Sequence, residues 1–413
     1  MAKKTIRDLP ADLTGKKVLA RFDLNVGIDE ATGEIRNDRR IRAALPTLGD
    51  LIGRGAAVIA MSHLGRPKPG AGEKNKPFRM DHVAAKIGEY LKKSVAKADD
   101  VTGPDAKAKV AALKPGDVLV LENVRFDARE QPKKDGTPEE IDAHNKAMDA
   151  FAAELAAFGD IYVNDAFGTL HNKDVSVLAL AKAMKGKPRV IGLLVEKELK
   201  IVDDLLAAPK RPMLAIMGGA KVSDKIKFIT VLLEKVDRLL IGGKMIYTFL
   251  KATGVDVGGC KVDDAELAEA KKLLPMVGSK IVLAPDYVVA NAENKTLAAD
   301  GAIPAGYAGV DIGPKAIAAF SEQIQEAATV IWNGPVGWFE HLPYDRGTRA
   351  VADAMAKAHG AGATTVVGGG ETAEAVEEFG LVDSMSHVST GGGAFLKYVE
   401  DRKFKTLDQI DDK

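Results

Sequence analysis

Short runs rich in β-branched residues and leucine alternate along the chain with longer stretches in which apolar positions recur at helical spacing. That alternation is the pattern of α/β units built around a mainly parallel sheet. In the first half the strand-like runs are 18–22, 56–61, 118–121 and 161–163, and each ends in polar or charged residues: Asp23 and Asn25, His63 and Arg66, 122–125, and Asn164 with Asp165. In the second half the runs are 213–217, 239–241, 281–283, 329–332, 364–367 and 385–389. Most of these end in glycine instead: Gly218 and Gly219, Gly242 and Gly243, Gly334 and Gly337, 368–370, and 391–393. Ligands of open α/β sheets sit beyond the carboxyl ends of the strands. One half therefore offers cationic and polar side chains there and the other offers bare backbone, which predicts two different ligands, one per domain.

The alternation breaks at Gly186, Lys187 and Pro188, and 196–206 has the spacing of an amphipathic helix before Pro209 and Pro212 restart a strand. The expected organisation is a first domain over 1–185, a hinge helix over 186–210, a second domain over 211–390 and a C-terminal segment over 391–413. Loops 66–76 and 132–140, rich in Lys, Gly, Pro and Glu, read as solvated surface, and the charged tail 401–413 as either loose or docked.

The length of 413 residues suits two to three domains at about 150 residues each. Lys+Arg and Asp+Glu balance at 58 each, so no positive excess points to nucleic acid. Residues 1–7 carry no apolar leader, and no run approaches the roughly 18 apolar residues of a membrane span, so a cytoplasmic protein is expected. Cys260 is the one cysteine, which excludes an intrachain disulfide and a cysteine metal cage. It reads as a small packing residue, since no histidine lies near it in sequence to activate it.

Lys221 and Lys225 lie four apart after Gly218, Gly219 and Ala220, at the expected start of a helix. A phosphate there would meet backbone N–H groups, the positive end of the helix dipole and two ammonium groups. A solvated lysine pair is the plainer reading; the strand and double glycine directly before it favour the phosphate. Residues 366–373 also match the dinucleotide fingerprint, which raises an NAD-dependent oxidoreductase as a rival. That fingerprint needs a carboxylate at the end of the next strand, where this chain has Ser389, Thr390 and three glycines. No Walker A sequence occurs, so a nucleotide must be held by dispersed glycine-rich loops. Asn333 and Glu340 flank a glycine turn that suits a nucleotide sugar or phosphate, while Trp332 and Trp338 read as core. In the first half, the segments 21–25, 37–42, 62–67 and 122–126, rich in arginine, gather at one sheet edge as a nest for a small polyanion, with His63, in company with Arg66, as a further donor or charge. The other histidines show no metal-ligand spacing.

The segments 21–26 (RFDLNV), 39–48 (RRIRAALPTL), 62–67 (SHLGRP), 121–126 (LENVRF), 163–169 (VNDAFGT), 196–199 (EKEL), 218–226 (GGAKVSDKI), 332–340 (WNGPVGWFE), 368–373 (GGGETA) and 389–394 (STGGGA) occur in the order found in phosphoglycerate kinases. The chain resembles that family over nearly its whole length. The resemblance implies two Rossmann-like domains facing across a cleft, a monomer, and a C-terminal segment returning to the N-terminal domain. It implies reversible phosphoryl transfer from 1,3-bisphosphoglycerate to Mg-ADP, giving 3-phosphoglycerate and ATP, with hinge closure bringing the substrates together. Carried over by motif, Asp23, Asn25, Arg40, His63, Arg66 and Arg125 form the 3-phosphoglycerate site. Gly219, Ala220, Lys221, Lys225, Gly243, Gly309, Asn333, Pro335, Glu340, Gly369, Gly370, Glu371 and Thr372 form the ATP/ADP site. Arg40, Lys221 and Lys225 are the catalytic cations, and Glu371 faces Mg²⁺. Three positions depart from the family pattern: Asn172 stands where an arginine is usual, with Lys173 as its substitute; Lys244 replaces a glycine; and Glu371 replaces an aspartate. Asn172 and Glu371 motivate a second reading, a catalytically silent nucleotide- and polyanion-binding protein on the same fold.

Overall fold

The computed structural model describes residues 2–70, 72–219 and 225–413, so the expected site residues Ala220 and Lys221 lie outside the described residues. It divides into two units, Met1–Lys200 with Lys403–Lys413, and Ile201–Arg402.

The first unit is built on a six-stranded sheet in the order Ala96–Lys97, Val118–Val120, Ala57–Met61, Lys17–Phe22, Ile161–Asp165 and Arg189–Ile191. Every pairing is parallel. Five of the six positions of Lys17–Phe22 are buried, because a central parallel strand is covered on both faces and reads as a continuous apolar run. One flanking helix shows why it begins where it does. Pro138–Ala156 starts behind Thr137, whose side chain and that of Glu140 form a reciprocal capping box, with Pro138 at a position where no N–H is needed. It begins inside the stretch 132–140 that the sequence suggested as loop. The helix Leu193–Ala207 runs from the first unit into the second, and Leu199, Val202, Leu205 and Leu206 are buried along it, the helical stripe expected over 196–206.

The C-terminal tail docks on this unit. Asp411 pairs with Arg189 at 2.8 Å, Asp412 with Lys3 at 2.8 Å, and Phe404 meets Phe167 edge to face at 6.3 Å. Loop 66–76 is mostly exposed, except for buried Asn75, whose amide bonds both the N–H and the carbonyl of Lys68.

The second unit carries a six-stranded parallel sheet in the order Ile281–Leu283, Arg238–Ile241, Met213–Met217, Thr329–Asn333, Thr364–Gly368 and His387–Val388. The last strand keeps only two of the residues expected over 385–389. A three-stranded antiparallel sheet, ordered Thr296–Ala299, Tyr287–Ala290 and Ala308–Ile312, was not foreseen. Its edge strand Thr296–Ala299 is largely exposed and lacks the apolar alternation that marks a strand.

Candidate substrate and nucleotide sites

In the first unit the expected polar residues come from the carboxyl ends of Lys17–Phe22 and Ala57–Met61, from the first turn of helix Arg39–Gly53, and from the 3₁₀ turn Val124–Phe126. Asp23 is buried and accepts from Arg40 Nη1 at 3.0 Å. Burial alone would raise its carboxyl, but the Arg40 guanidinium and the cations behind it outweigh burial and hold it below the usual carboxylate range. The loop carrying His63 and Arg66 is gripped from two sides. Asn25 Oδ1 accepts from Gly65 N at 2.7 Å, and Arg125 Nη1 donates to Gly65 O at 3.1 Å. Gly65 is needed there: its φ is +61°, and a Cβ would stand 2.4 Å from the Phe78 ring. Arg66 is exposed.

Of the donor or charge expected of His63, the charge is the one disfavoured: burial first, then the Arg21 cation, holds its ring well below the ordinary 6.5, so it is neutral at neutral pH. Where the resemblance leads to an arginine, Asn172 Nδ2 donates to Asp174 Oδ2 at 3.3 Å, and the same buried carboxylate stands 3.6 Å from Arg125. Lys173 is exposed.

In the second unit a cavity of about 180 Å³ opens beside the glycine-rich strand ends. Of the expected nucleotide residues, Gly219, Gly243, Gly309, Pro335, Glu340 and Glu371 line it. Close approach of backbone sets its shape. A Cβ on Gly309 would fall 1.6 Å from Tyr247 Oη, and one on Gly243 would fall 2.8 Å from Pro335 O. Lys225, Asn333 and Thr372 stand behind this wall. Lys225 Nζ donates to Gly218 O at 2.9 Å, Asn333 Nδ2 to Gly368 O at 2.8 Å, and Thr372 Oγ1 accepts from Gly334 N at 2.7 Å. Gly369 and Gly370 lead into helix Gly370–Glu378, whose first turn carries Glu371. Asn333 Oδ1 is buried and has no partner among the described residues, an acceptor left over at a strand end.

Several lining residues were not anticipated. Trp338 is 43 % exposed, whereas Trp332 is 0 % exposed, so only Trp332 is core. The physical reason is that Trp338 lies in the loop after Thr329–Asn333, packed on His341 at 3.8 Å between ring centres, with Lys244 Nζ 5.8 Å from its own ring centre. Val310 and Asp311 come from the unforeseen strand Ala308–Ile312. Burial pushes the Asp311 carboxyl up to about 7, although it accepts from Gly347 N at 2.8 Å. Tyr247 had a sequence signal only in its helical spacing from Lys244. In the first unit Arg21, Ser176 and Glu130 form a buried network behind His63, and only Arg21 lies in a segment the sequence singled out.

Among the described residues no group of three or more His, Cys, Asp or Glu side chains is arranged to hold a metal. No described helix is long and apolar enough to cross a membrane.

Residues 6–402 match phosphoglycerate kinases as a family. A phosphoglycerate kinase of Parasynechococcus marenigrum is 45 % identical over 100 % of both chains, and one of Chloroflexus aurantiacus is 47 % identical over 97 % of both. Among solved structures, phosphoglycerate kinase from Coxiella burnetii superposes with a TM-score of 0.80 at 34 % identity, covering 98 % of each chain. That from Pyrococcus horikoshii OT3 gives 0.83 at 29 % identity, covering 99 % of this chain and 98 % of the other. Nothing in these relatives supports the silent reading. The chain belongs to the phosphoglycerate kinase family, phosphotransferases with a carboxyl group as acceptor and ATP/ADP as co-substrate.

Proposed function

We propose that Asp23, Asn25, Arg40, His63, Arg66 and Arg125 bind 3-phosphoglycerate or 1,3-bisphosphoglycerate, and that the cavity walled by Gly219, Gly243, Gly309, Pro335, Glu340 and Glu371 takes ADP or ATP. The observation that carries this reading is the contrast between the two units. One holds Arg40 on the buried carboxylate of Asp23 and Arg125 near that of Asp174, and the other offers glycine backbone, with Glu340 and Glu371, around a cavity at its strand ends. Arginine supplies paired donors to carboxylate and phosphate, and Asp23 supplies the acceptor that the substrate hydroxyl needs.

The attacking group in the ATP-consuming direction is a carboxylate, ionised at neutral pH, so no general base is required. What the protein must supply is orientation, charge neutralisation and exclusion of water. Arg40, one third exposed on its side chain, can turn from Asp23 toward the transferring phosphoryl group while Asp23 keeps it in place between turnovers. Lys225, anchored on Gly218 O, brings a second cation to the glycine loop. Glu340 and Glu371 are both exposed carboxylates on the cavity wall, and Glu371, in the first turn of its helix, suits Mg²⁺, an ion that keeps waters and takes one or two carboxylates beside substrate phosphates. Bound there, Mg²⁺ would neutralise nucleotide charge. Ligands held by separate units must be brought together for transfer, and closure about 186–210 in a cytoplasmic monomer would do this. Equal compactness in small-angle scattering with and without both substrates would count against closure.

Calorimetric titration tests the division of labour. Arg66→Ala should weaken 3-phosphoglycerate binding about tenfold or more and leave ADP binding intact, and Glu340→Ala should do the reverse. Joint loss of both ligands in either variant would contradict separate sites.

A further inference from the structure

Arg21 takes no place among the substrate-binding cations above, yet it is the least exposed arginine of the first unit, at 0 %. Its guanidinium is spent on neighbours. Nε donates to Ser176 Oγ at 2.9 Å, Nη1 donates to the Phe22 carbonyl, and Nη2 lies 3.1 Å from His63 Nδ1. A guanidinium has donors only, so Nδ1 must be the acceptor and carry no proton. The neutral ring then has its proton on Nε2. Protonating Nδ1 would break this bond and set one N–H against another.

On the far side of Arg21, Ser176 Oγ accepts from Nε and stands 2.6 Å from Glu130 Oε1, while Ser176 N donates to Glu130 Oε2 at 3.0 Å; burial pushes the Glu130 carboxyl up to about 8, so either the hydroxyl or the carboxyl can supply the proton they share. Ser176 lies in the single π turn Val175–Ala179, a local distortion that often marks functional sites. Around the imidazole stand Arg21 and Asp23 at the carboxyl end of Lys17–Phe22, Arg40 from helix Arg39–Gly53, and Arg125 from the turn Val124–Phe126. Only Asp23 favours an imidazolium; three arginines and burial oppose it.

We propose that Arg21 is a positioning residue that fixes His63 as the Nε2–H tautomer, so that the imidazole serves the anionic substrate as an uncharged hydrogen-bond donor. The proposal rests on the substrate site assigned above. A histidine in a polyanion site ordinarily gains charge, and grip, as pH falls through its pKa. Here the donor stays constant, and the pH dependence of binding is left to the substrate's own ionisation.

The test is ¹⁵N NMR of the histidine-labelled full chain, with His63 assigned by H63Q. Between about pH 5 and pH 8, Nδ1 should resonate as a pyridine-type and Nε2 as a pyrrole-type nitrogen. In Arg21→Met the ring should titrate within that range. The ratio of the variant's KM for 3-phosphoglycerate to the wild type's should then fall about tenfold toward acid pH, with KM for ATP unmoved. The substrate's own titration cancels in that ratio. A wild-type ring protonated on Nδ1, or a ratio independent of pH, would overturn the proposal; if Arg21→Met fails to fold, the wild-type spectrum decides. If saturating 3-phosphoglycerate leaves the His63 resonances unmoved while the tautomer is as stated, the donor role and the substrate site fall together, and the Arg21 contact alone survives.

Discussion

Arg40 Nη1 stands 3.0 Å from Asp23 Oδ1, and the two side chains are 32 % and 3 % exposed. The cation proposed for the chemistry is thus held by a buried carboxylate. Asp23→Asn keeps the shape and removes the countercharge. It should lower kcat more than tenfold and cost about 1–3 kcal/mol of stability, read by steady-state kinetics and thermal melting. Because the Asp23 carboxyl is depressed in the folded state, its stabilising contribution is present above its unfolded pKa and lost as pH falls through the folded one. The wild type should therefore lose its advantage over Asp23→Asn in acid.

Gly309 tests the nucleotide wall by steric exclusion. An added methyl would collide with Tyr247 Oη at 1.6 Å, so Gly309→Ala must displace a buried ring that lines the cavity. Titration with a fluorescent ADP analogue should show affinity reduced at least about tenfold. An unchanged Kd would mean that this wall takes no part in nucleotide binding.

The two tryptophans give a direct optical readout. Trp332 is fully buried and Trp338 is not, so acrylamide should quench one and spare the other. Adding ADP should shield the accessible emitter, and Trp338→Phe should abolish the effect. Persistence of the shielding in Trp338→Phe would place the ligand elsewhere.

Asp165 carries a cost built into the fold. Burial pushes its carboxyl up to about 6 from 3.8, outweighing hydrogen bonds from Thr47 and from the Val195 and Leu194 N–H groups, of which Val195 N stands 3.1 Å from Oδ1. Between those values the unfolded chain binds fewer protons than the folded one, so stability falls as pH rises through the interval. Asp165→Asn should therefore gain relative to wild type as pH rises from about 4 to about 8, by roughly 2 kcal/mol. Melting temperatures of the pair across pH would show a constant difference if the carboxyl titrates normally.

Four strands of the first parallel sheet and the six of the second were legible because continuous apolar runs are what buried parallel strands require, whereas the short edge strands Ala96–Lys97 and Arg189–Ile191 went uncalled. Asp23, His63 and Arg125, and Gly219 and Gly243, could be named for that reason and through motif resemblance, and Gly309, inside the uncalled strand Ala308–Ile312, through resemblance alone. The remainder depended on tertiary placement. Thr296–Ala299 is exposed and carries no strand pattern, so the sheet that delivers Asp311 to the cavity leaves no periodic trace. Trp338 looks like core in sequence because an indole is apolar, whereas a loop holds it at the cavity mouth. The pairing of Arg21 with His63 joins residues 42 apart, and that of Arg21 with Ser176 joins residues 155 apart, distances over which spacing carries no information.

The most direct measurement is ATP formation by the purified full chain from 1,3-bisphosphoglycerate and Mg-ADP in a coupled assay. The expected result is robust turnover that falls by about two orders of magnitude in Arg40→Ala. Lys225→Ala should lose far more kcat than substrate affinity. A correctly folded wild type producing no ATP above background would contradict the assigned reaction.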